Sequence, residues 1–420
     1  MITDLGLHLW RAGYRALPDA RSRHGGADVF ESSLLGRRAV VVRGSDGARL
    51  FYDAAVVQRE GAVPAALADL LFGRGAIHGL DGEEHASRKE MFLALLTEQR
   101  VEDLATTVGR DLERRTRRWI GRDVVVFDEL VEVYGAAVQA WAGIRADPPA
   151  VRTTSHRLAA IVDGFGGAGR AYPRAWAARV RADRWARGLV EGVREGTVDT
   201  PADSILRSIS TGPGRDLDAR TAGVELLNIL RPTVAVAWPG TFLAADLAAF
   251  PQWRPLLRGG DGAVRRRTAF GHEVRRTCPF VPALAGRVHG RAEIDGVPLD
   301  PGDVLVLDVP GTNQHPGLWD EPQSFLPERF TGTVPDPFEL VPQGGGDPRT
   351  GHRCPGEPLT VRMLAETARV LSGVDYVPLT DPTHDPTRIP TLPRGGLVVR
   401  TRAEEVGHDP SRARRGPPRE

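Results

Sequence analysis

Apolar residues recur three and four positions apart from about Ala54 to Thr268, with few stretches of strict alternation, and this pattern predicts a mostly helical body. Breaks are expected at Pro148-Pro149 and at Gly212-Pro213-Gly214. Upstream, the run Ala39-Val40-Val41-Val42, the turn-forming Gly44-Ser45-Asp46-Gly47 and the run from Ala48 to Tyr52 predict a hairpin over Arg37 to Tyr52. Short strands are expected again between Gly286 and Pro310, with turns at Asp295-Gly296 and Pro301-Gly302, and once more at Gly396 to Arg400. The expected class is mainly α with a small segregated β region, in one domain over residues 1–406. Residues 407–420, rich in Arg, Pro and Gly, read as disordered.

Asp216 to Phe250 has the length and apolar character of a central helix, carrying Ala222, Leu226, Leu227, Ile229, Leu230 and Val234. Inside it stands Arg231-Pro232. An arginine in an apolar helix is costly unless its guanidinium meets an anion, and a proline removes a backbone donor and kinks the turn. The residues alone leave two ways to satisfy Arg231: an internal pair with an Asp or Glu, or an anion that arrives from outside.

Composition narrows the class without naming a function. Apolar residues make up 41% of the 420 and charged residues 26%, enough for a large core. Fifty-five basic residues against 54 acidic ones leave a net charge of +1, so nothing in the overall charge argues for nucleic acid or an anionic membrane, and neither is expected as a partner. Lys89 is the single lysine, and the arginine excess reads as a GC-rich genome. Cys278 and Cys354 are too few for a disulfide framework and too far apart for a zinc pair, so a reducing compartment is expected. Asp4, His8, Arg11 and Arg15 interrupt the N-terminal apolar residues, so neither a signal peptide nor a membrane span is expected there; the protein is expected to be soluble and cytoplasmic.

Cys354 ends a glycine-rich loop, Pro342-Gln343-Gly344-Gly345-Gly346 through Gly351-His352-Arg353, and precedes a helical pattern that begins around Leu359. A helix N-terminus offers unpaired N–H groups and a positive dipole end, which favour a thiolate, and Pro355 suits the first helical position. Cys278, by contrast, reads as a buried structural cysteine. The run from Gly351 to Glu357 resembles the haem-binding loop of the cytochrome P-450 superfamily. Three further elements occur in the expected order: Glu273-Val274-Arg275-Arg276, resembling the Glu-x-x-Arg pair; Phe325 to Phe330, whose Arg329 would join that pair; and Gly311-Thr312-Asn313 with His315, Pro316, Trp319 and Asp320. The resemblance covers essentially the whole chain and implies a single-domain haem-thiolate cytochrome fold, with haem b held by Cys354.

The central helix departs from ordinary members, which carry an acid and an alcohol there to relay protons to dioxygen. Leu226 to Ala235 instead resembles the fatty-acid peroxygenase branch, as do Val57 to Gly61 and Leu71 to Lys89. In that branch the resemblance implies that Arg231 and Pro232 hold a substrate carboxylate over the iron, with Phe72 and His78 beside the substrate. It further implies that Arg59, His85, Lys89 and Arg353 meet the haem propionates. Asp347 stands where a phenylalanine is usual, and the longer loop fits the same branch. Implied too are hydrogen peroxide as co-substrate, a fatty acid or other carboxylated molecule as substrate, oxidation at the α or β carbon, and no obligatory reductase. Histidine at position 78 occurs in a decarboxylating relative, where glutamine is common in hydroxylases. Two other readings share the haem: a monooxygenase driven by redox partners on another carboxylated substrate, and a haem sensor or electron carrier.

Overall fold

The computed structural model describes residues 4–166 and 171–402; the tail expected to be disordered, 407–420, lies outside them. Helices Val126–Trp141, Ala219–Ala235, Ala237–Ala249, Ala263–Thr277 and Glu357–Ser372 meet in one apolar core, where Leu130, Tyr134, Leu226, Trp238, Phe270 and Leu364 are buried. Close approach is selective. A Cβ on Gly240 would lie 2.9 Å from Leu130 Cδ1 and 3.0 Å from the Tyr134 hydroxyl, so glycine lets these two helices pack together. The Tyr134 hydroxyl in turn lies 2.6 Å from that of Thr367, which ties the helix after the cysteine loop into the same core.

The β region is segregated as expected. Five strands run in the order Val29–Leu34, Arg37–Val42, Val304–Asp308, Ala283–Val288 and Val57–Gln58, with the second and third parallel and the other pairs antiparallel. Ala292–Ile294 and Val297–Leu299 form a hairpin around Asp295 and Gly296, both at positive φ, as a tight two-residue hairpin turn requires. Val398–Thr401 pairs with Asp123–Val125 and Tyr376–Pro378.

The hairpin expected over Arg37 to Tyr52 is not formed. Arg37–Val42 pairs with Val29–Leu34 on its N-terminal side, and Gly44–Phe51 is a helix. Its buried residues, Ala48 and Phe51 with Gly44 and Gly47, follow helical spacing. A Cβ on Gly47 would fall 2.8 Å from Val42 Cβ, so this helix folds straight back onto the strand it follows. The central helix also differs: it is two helices, Ala219–Ala235 and Ala237–Ala249, joined at Val236. Pro232 and Pro239 bracket the junction and remove two i to i−4 donors, and the Val236 N–H bonds Thr233 O at 3.3 Å in the tighter i−3 pattern. Among the described residues no helix is long and apolar enough to cross a membrane.

Candidate active site

Cys354 lies just before helix Glu357–Ser372, its N–H bonded to Gln343 O at 3.0 Å and its Sγ 4.0 Å from Gln343 Nε2. Pro355 is in the turn before this helix, whose N-cap is Gly356, so the first helical residue is Glu357 and not Pro355. Burial pushes the Cys354 thiol up; the Gly356 N–H pulls it down, Glu357 pushes it up, and Lys89 and Arg275 pull it down. Glu357 accepts from both Arg275 and Arg353, fixing the first turn of the helix against the neighbouring one.

Beneath this loop the Glu-x-x-Arg pair is fully buried. Arg276 donates from Nε and Nη2 to the two oxygens of Glu273, both at 2.7 Å, and to the carbonyls of Asn313, Pro322 and Ser324. The Leu326 N–H reaches Glu273 Oε1 at 2.7 Å, and Arg329 stands 3.4 Å from the same carboxylate. This cluster pins the segment 313–329 to helix Ala263–Thr277, and every hydrogen-bonding edge of a costly buried pair is met.

Phe72, His78 and Arg231 come together on the other side. The rings of Phe72 and His78 stack with centroids 4.0 Å apart, and the Arg231 guanidinium sits 5.7 Å from the Phe72 centroid. His78 lies in the short turn Ile77–Gly79, which sets its ring against that of Phe72. Burial, then the charges of Arg231 and Lys89, hold its imidazole well below the ordinary value, so it is neutral. Arg231 is 5% exposed; Nη2 donates to Asn228 Oδ1 at 3.2 Å, and Nε is buried without a partner. Among the described residues no carboxylate forms an ion pair with it. Burial, with Arg179 adding to it and Cys354 opposing, brings Arg231 down to about 9. The acid of this helix, Glu225, is paired with Arg88 instead.

The four residues expected at the propionates divide into two kinds. The Arg59 guanidinium lies 4.0 Å from the Phe51 centroid, and its Nη1 is buried and unpaired. The His85 ring packs 4.0 Å from that of His352, which bonds Asp81 at 3.1 Å. Lys89 Nζ instead donates to Arg353 O at 2.7 Å, and Arg353 is held by Glu357 and by Gly346 O. Burial brings Lys89 down to about 8.

A cytochrome P-450 family model matches residues 268–373, the part that holds the buried ion-pair cluster and the cysteine loop. A variant of cytochrome P-450SP alpha (CYP152B1) superposes with a TM-score of 0.88 at 36% identity, over 95% of this chain and 98% of that one. A variant of cytochrome P-450 OleT in complex with arachidonic acid gives 0.89 at 31% identity, over 96% and 98%. The chain belongs to the cytochrome P-450 family. Its place there is the branch that its motifs resemble, and its class is haem-thiolate oxidoreductase. Among curated relatives, carnosic acid synthase of Rosmarinus officinalis is 33% identical over 128 residues, 29% of this P-450 and 24% of that protein.

The residues present fit a thiolate-ligated haem. Gly344, at φ +96, could not carry a Cβ without coming within 2.7 Å of the Tyr52 hydroxyl, so the cysteine loop lies flat against its neighbours. The orphaned Arg59 Nη1 is a donor suited to a propionate. Sequence reasoning passed over the polar members of the site, Glu225, Asn228, Arg88 and Arg179. The signal for the first two was present: Glu225, Asn228 and Arg231 are spaced three apart, with only apolar residues between them. Arg88 and Arg179, on other helices, carry no such signal.

Proposed function

We propose that this P-450 oxidises fatty acids at the α or β carbon with hydrogen peroxide, without an obligatory reductase. The observation that carries the reading is Arg231: a buried cation that no described carboxylate pairs calls for an anionic ligand. The complex of the OleT variant with arachidonic acid supports a fatty acid as that ligand.

When bound, haem supplies the oxidising centre, and its thiolate ligand favours O–O cleavage. The chain's own part begins with Arg231, which binds the substrate carboxylate through the guanidinium edge left free by Asn228. Proton transfer needs a base and an acid beside the peroxide. The turn Arg231 to Ala235 has no Asp or Glu, and its one hydroxyl, on Thr233, donates to Ile229 O at 2.8 Å. The carboxylate that Arg231 holds therefore takes the proton from one peroxide oxygen and returns it to the other. A carboxylate held at this point leaves the α and β carbons as the C–H groups near the reacting centre. Phe72 walls the site, and neutral His78 offers a hydrogen bond without a second charge. By family resemblance His78 admits the decarboxylating outcome, a terminal alkene, beside hydroxy acids. A cytoplasmic location completes the reading.

The test is product analysis across a series of fatty acids with hydrogen peroxide and no reductase. Hydroxylation at the α or β carbon, or alkene, is expected. Turnover that appears only with electron-transfer partners would instead favour a monooxygenase on another carboxylated substrate, and no turnover with either would favour a sensor or carrier.

A further inference from the structure

We infer that Glu225 is a positioning residue of the carboxylate site: it sets which way the Asn228 amide faces, and thereby the acceptor that holds Arg231. The inference rests on Arg231 being the carboxylate anchor.

Glu225, Asn228 and Arg231 are 0%, 7% and 5% exposed and follow one another at three-residue spacing along helix Ala219–Ala235, close to one face. Glu225 Oε1 accepts from the Ile77 N–H at 3.0 Å and from Arg88 Nη1. Its Oε2 accepts from Asn228 Nδ2 at 3.0 Å. An ionised carboxylate only accepts, whereas an amide has a donor end and an acceptor end. With Nδ2 committed to Glu225, Oδ1 must face Arg231, and it does, 3.2 Å from Nη2. The reversed amide would set oxygen against oxygen at Glu225 and an NH2 against the guanidinium at Arg231, two repulsive contacts in a buried place.

The same carboxylate also locates the opposite wall. Its bond to Ile77 N, and the reach of Arg88 to Gly75 O at 3.4 Å, pin the turn that presents His78. One buried acid thus holds Arg231 on the helix and His78 on the loop in a common frame. Burial pushes the Glu225 carboxyl up, while Asn228, Arg88 and Ile77 pull it back.

Glu225→Gln keeps size and shape but turns one acceptor into a donor. The introduced amide would then face Asn228 Nδ2 with its own NH2 and drive the Asn228 amide to reverse, removing the acceptor from Arg231. The assay titrates dodecanoate into the haem-loaded enzyme and reads the dissociation constant from the haem spectrum, for wild type, E225Q, Asn228→Leu and the double variant. E225Q is expected to weaken binding between about tenfold and a hundredfold, the worth of a charged hydrogen bond. In the N228L background, where no amide remains to turn, E225Q should add clearly less than it costs alone, a non-additivity that general loosening of the core would not produce. Wild-type affinity in E225Q, or losses that add in full, would overturn the inference. Should E225Q fail to load haem, N228L must still weaken binding by the same factor, and wild-type affinity there overturns it. A wild type that shows no spectral response to dodecanoate sinks the carboxylate-anchor reading itself, and the inference with it.

Discussion

Arg231→Met separates what this arginine does for the substrate from what it does to the fold. Burial lowers the folded-state value to about 9, well below that of the unfolded chain. For a base, that sign means the penalty is present in full at every pH below about 9 and is relieved only as pH rises through that value. At neutral pH the charged guanidinium therefore destabilises the substrate-free protein by at most about 5 kcal/mol. Relaxation and internal water reduce this, and a well-packed apolar replacement of similar volume should recover about 1–4 kcal/mol. For 420 residues, each kcal/mol raises the thermal midpoint by roughly 1 °C. Binding moves the other way. Two charged hydrogen bonds to a carboxylate, at about 1.5–3 kcal/mol each, give a loss of at least about a hundredfold in fatty-acid affinity. Thermal unfolding with and without dodecanoate, together with peroxide-driven turnover, measures both. The ligand-free midpoint should rise by a few degrees, the ligand-induced increase should vanish, and kcat/KM should fall by about the same hundredfold or more. A ligand-free midpoint below that of wild type together with an unchanged KM would refute the reasoning.

Two further outcomes follow from the buried charges. Glu273→Gln leaves the fully buried Arg276 and the partly buried Arg329 without their acid, so stability should fall by about 3–5 kcal/mol and haem retention with it; a wild-type denaturation midpoint would show that the carbonyls of Asn313, Pro322 and Ser324 suffice. His78 and His272 are both held neutral in the folded protein, chiefly by burial, His272 down to about 4. The unfolded chain takes up those protons near the ordinary value of 6.5. Stability is therefore complete above that pH and declines as pH falls below it, His272 contributing at most about 1.4 kcal/mol per pH unit. Denaturation midpoints at pH 7.5 and 5.5 test this, and equal midpoints would contradict it.

Much of this protein is written locally. The helical body, the strands between Ala283 and Asp308 with their turn at Asp295-Gly296, and the cysteine loop before a helix all depend on spacing within a few residues. Short-range periodicity and turn chemistry act before any tertiary contact forms, so these features survive in the chain taken alone. Where packing outvoted the local pattern, the sequence misled. The segment Gly44–Phe51 reads as a turn followed by the start of a strand, yet it is a helix because Gly47 lets it lie against Val42. The expected central helix divides at Val236 because two prolines, each tolerable alone, withdraw donors on both sides of one residue.

The site follows the same division. Cys354, Glu273-Arg276 and Arg231-Pro232 are legible as motifs because their chemistry is set by residue type and order along the chain. Whether Arg231 would meet an internal acid or await an external one was not, since that depends on which distant side chain reaches Glu225 first. Arg88, 137 positions away in sequence, takes that carboxylate and leaves Arg231 to a single amide oxygen. Likewise Lys89 and Arg353 find carbonyl and carboxylate partners inside the protein, while Arg59 keeps a buried donor free. Residue type and order along the chain show which charges lie in apolar surroundings; the packed fold settles which of them find a partner inside, because pairing depends on distances between helices that no local pattern encodes.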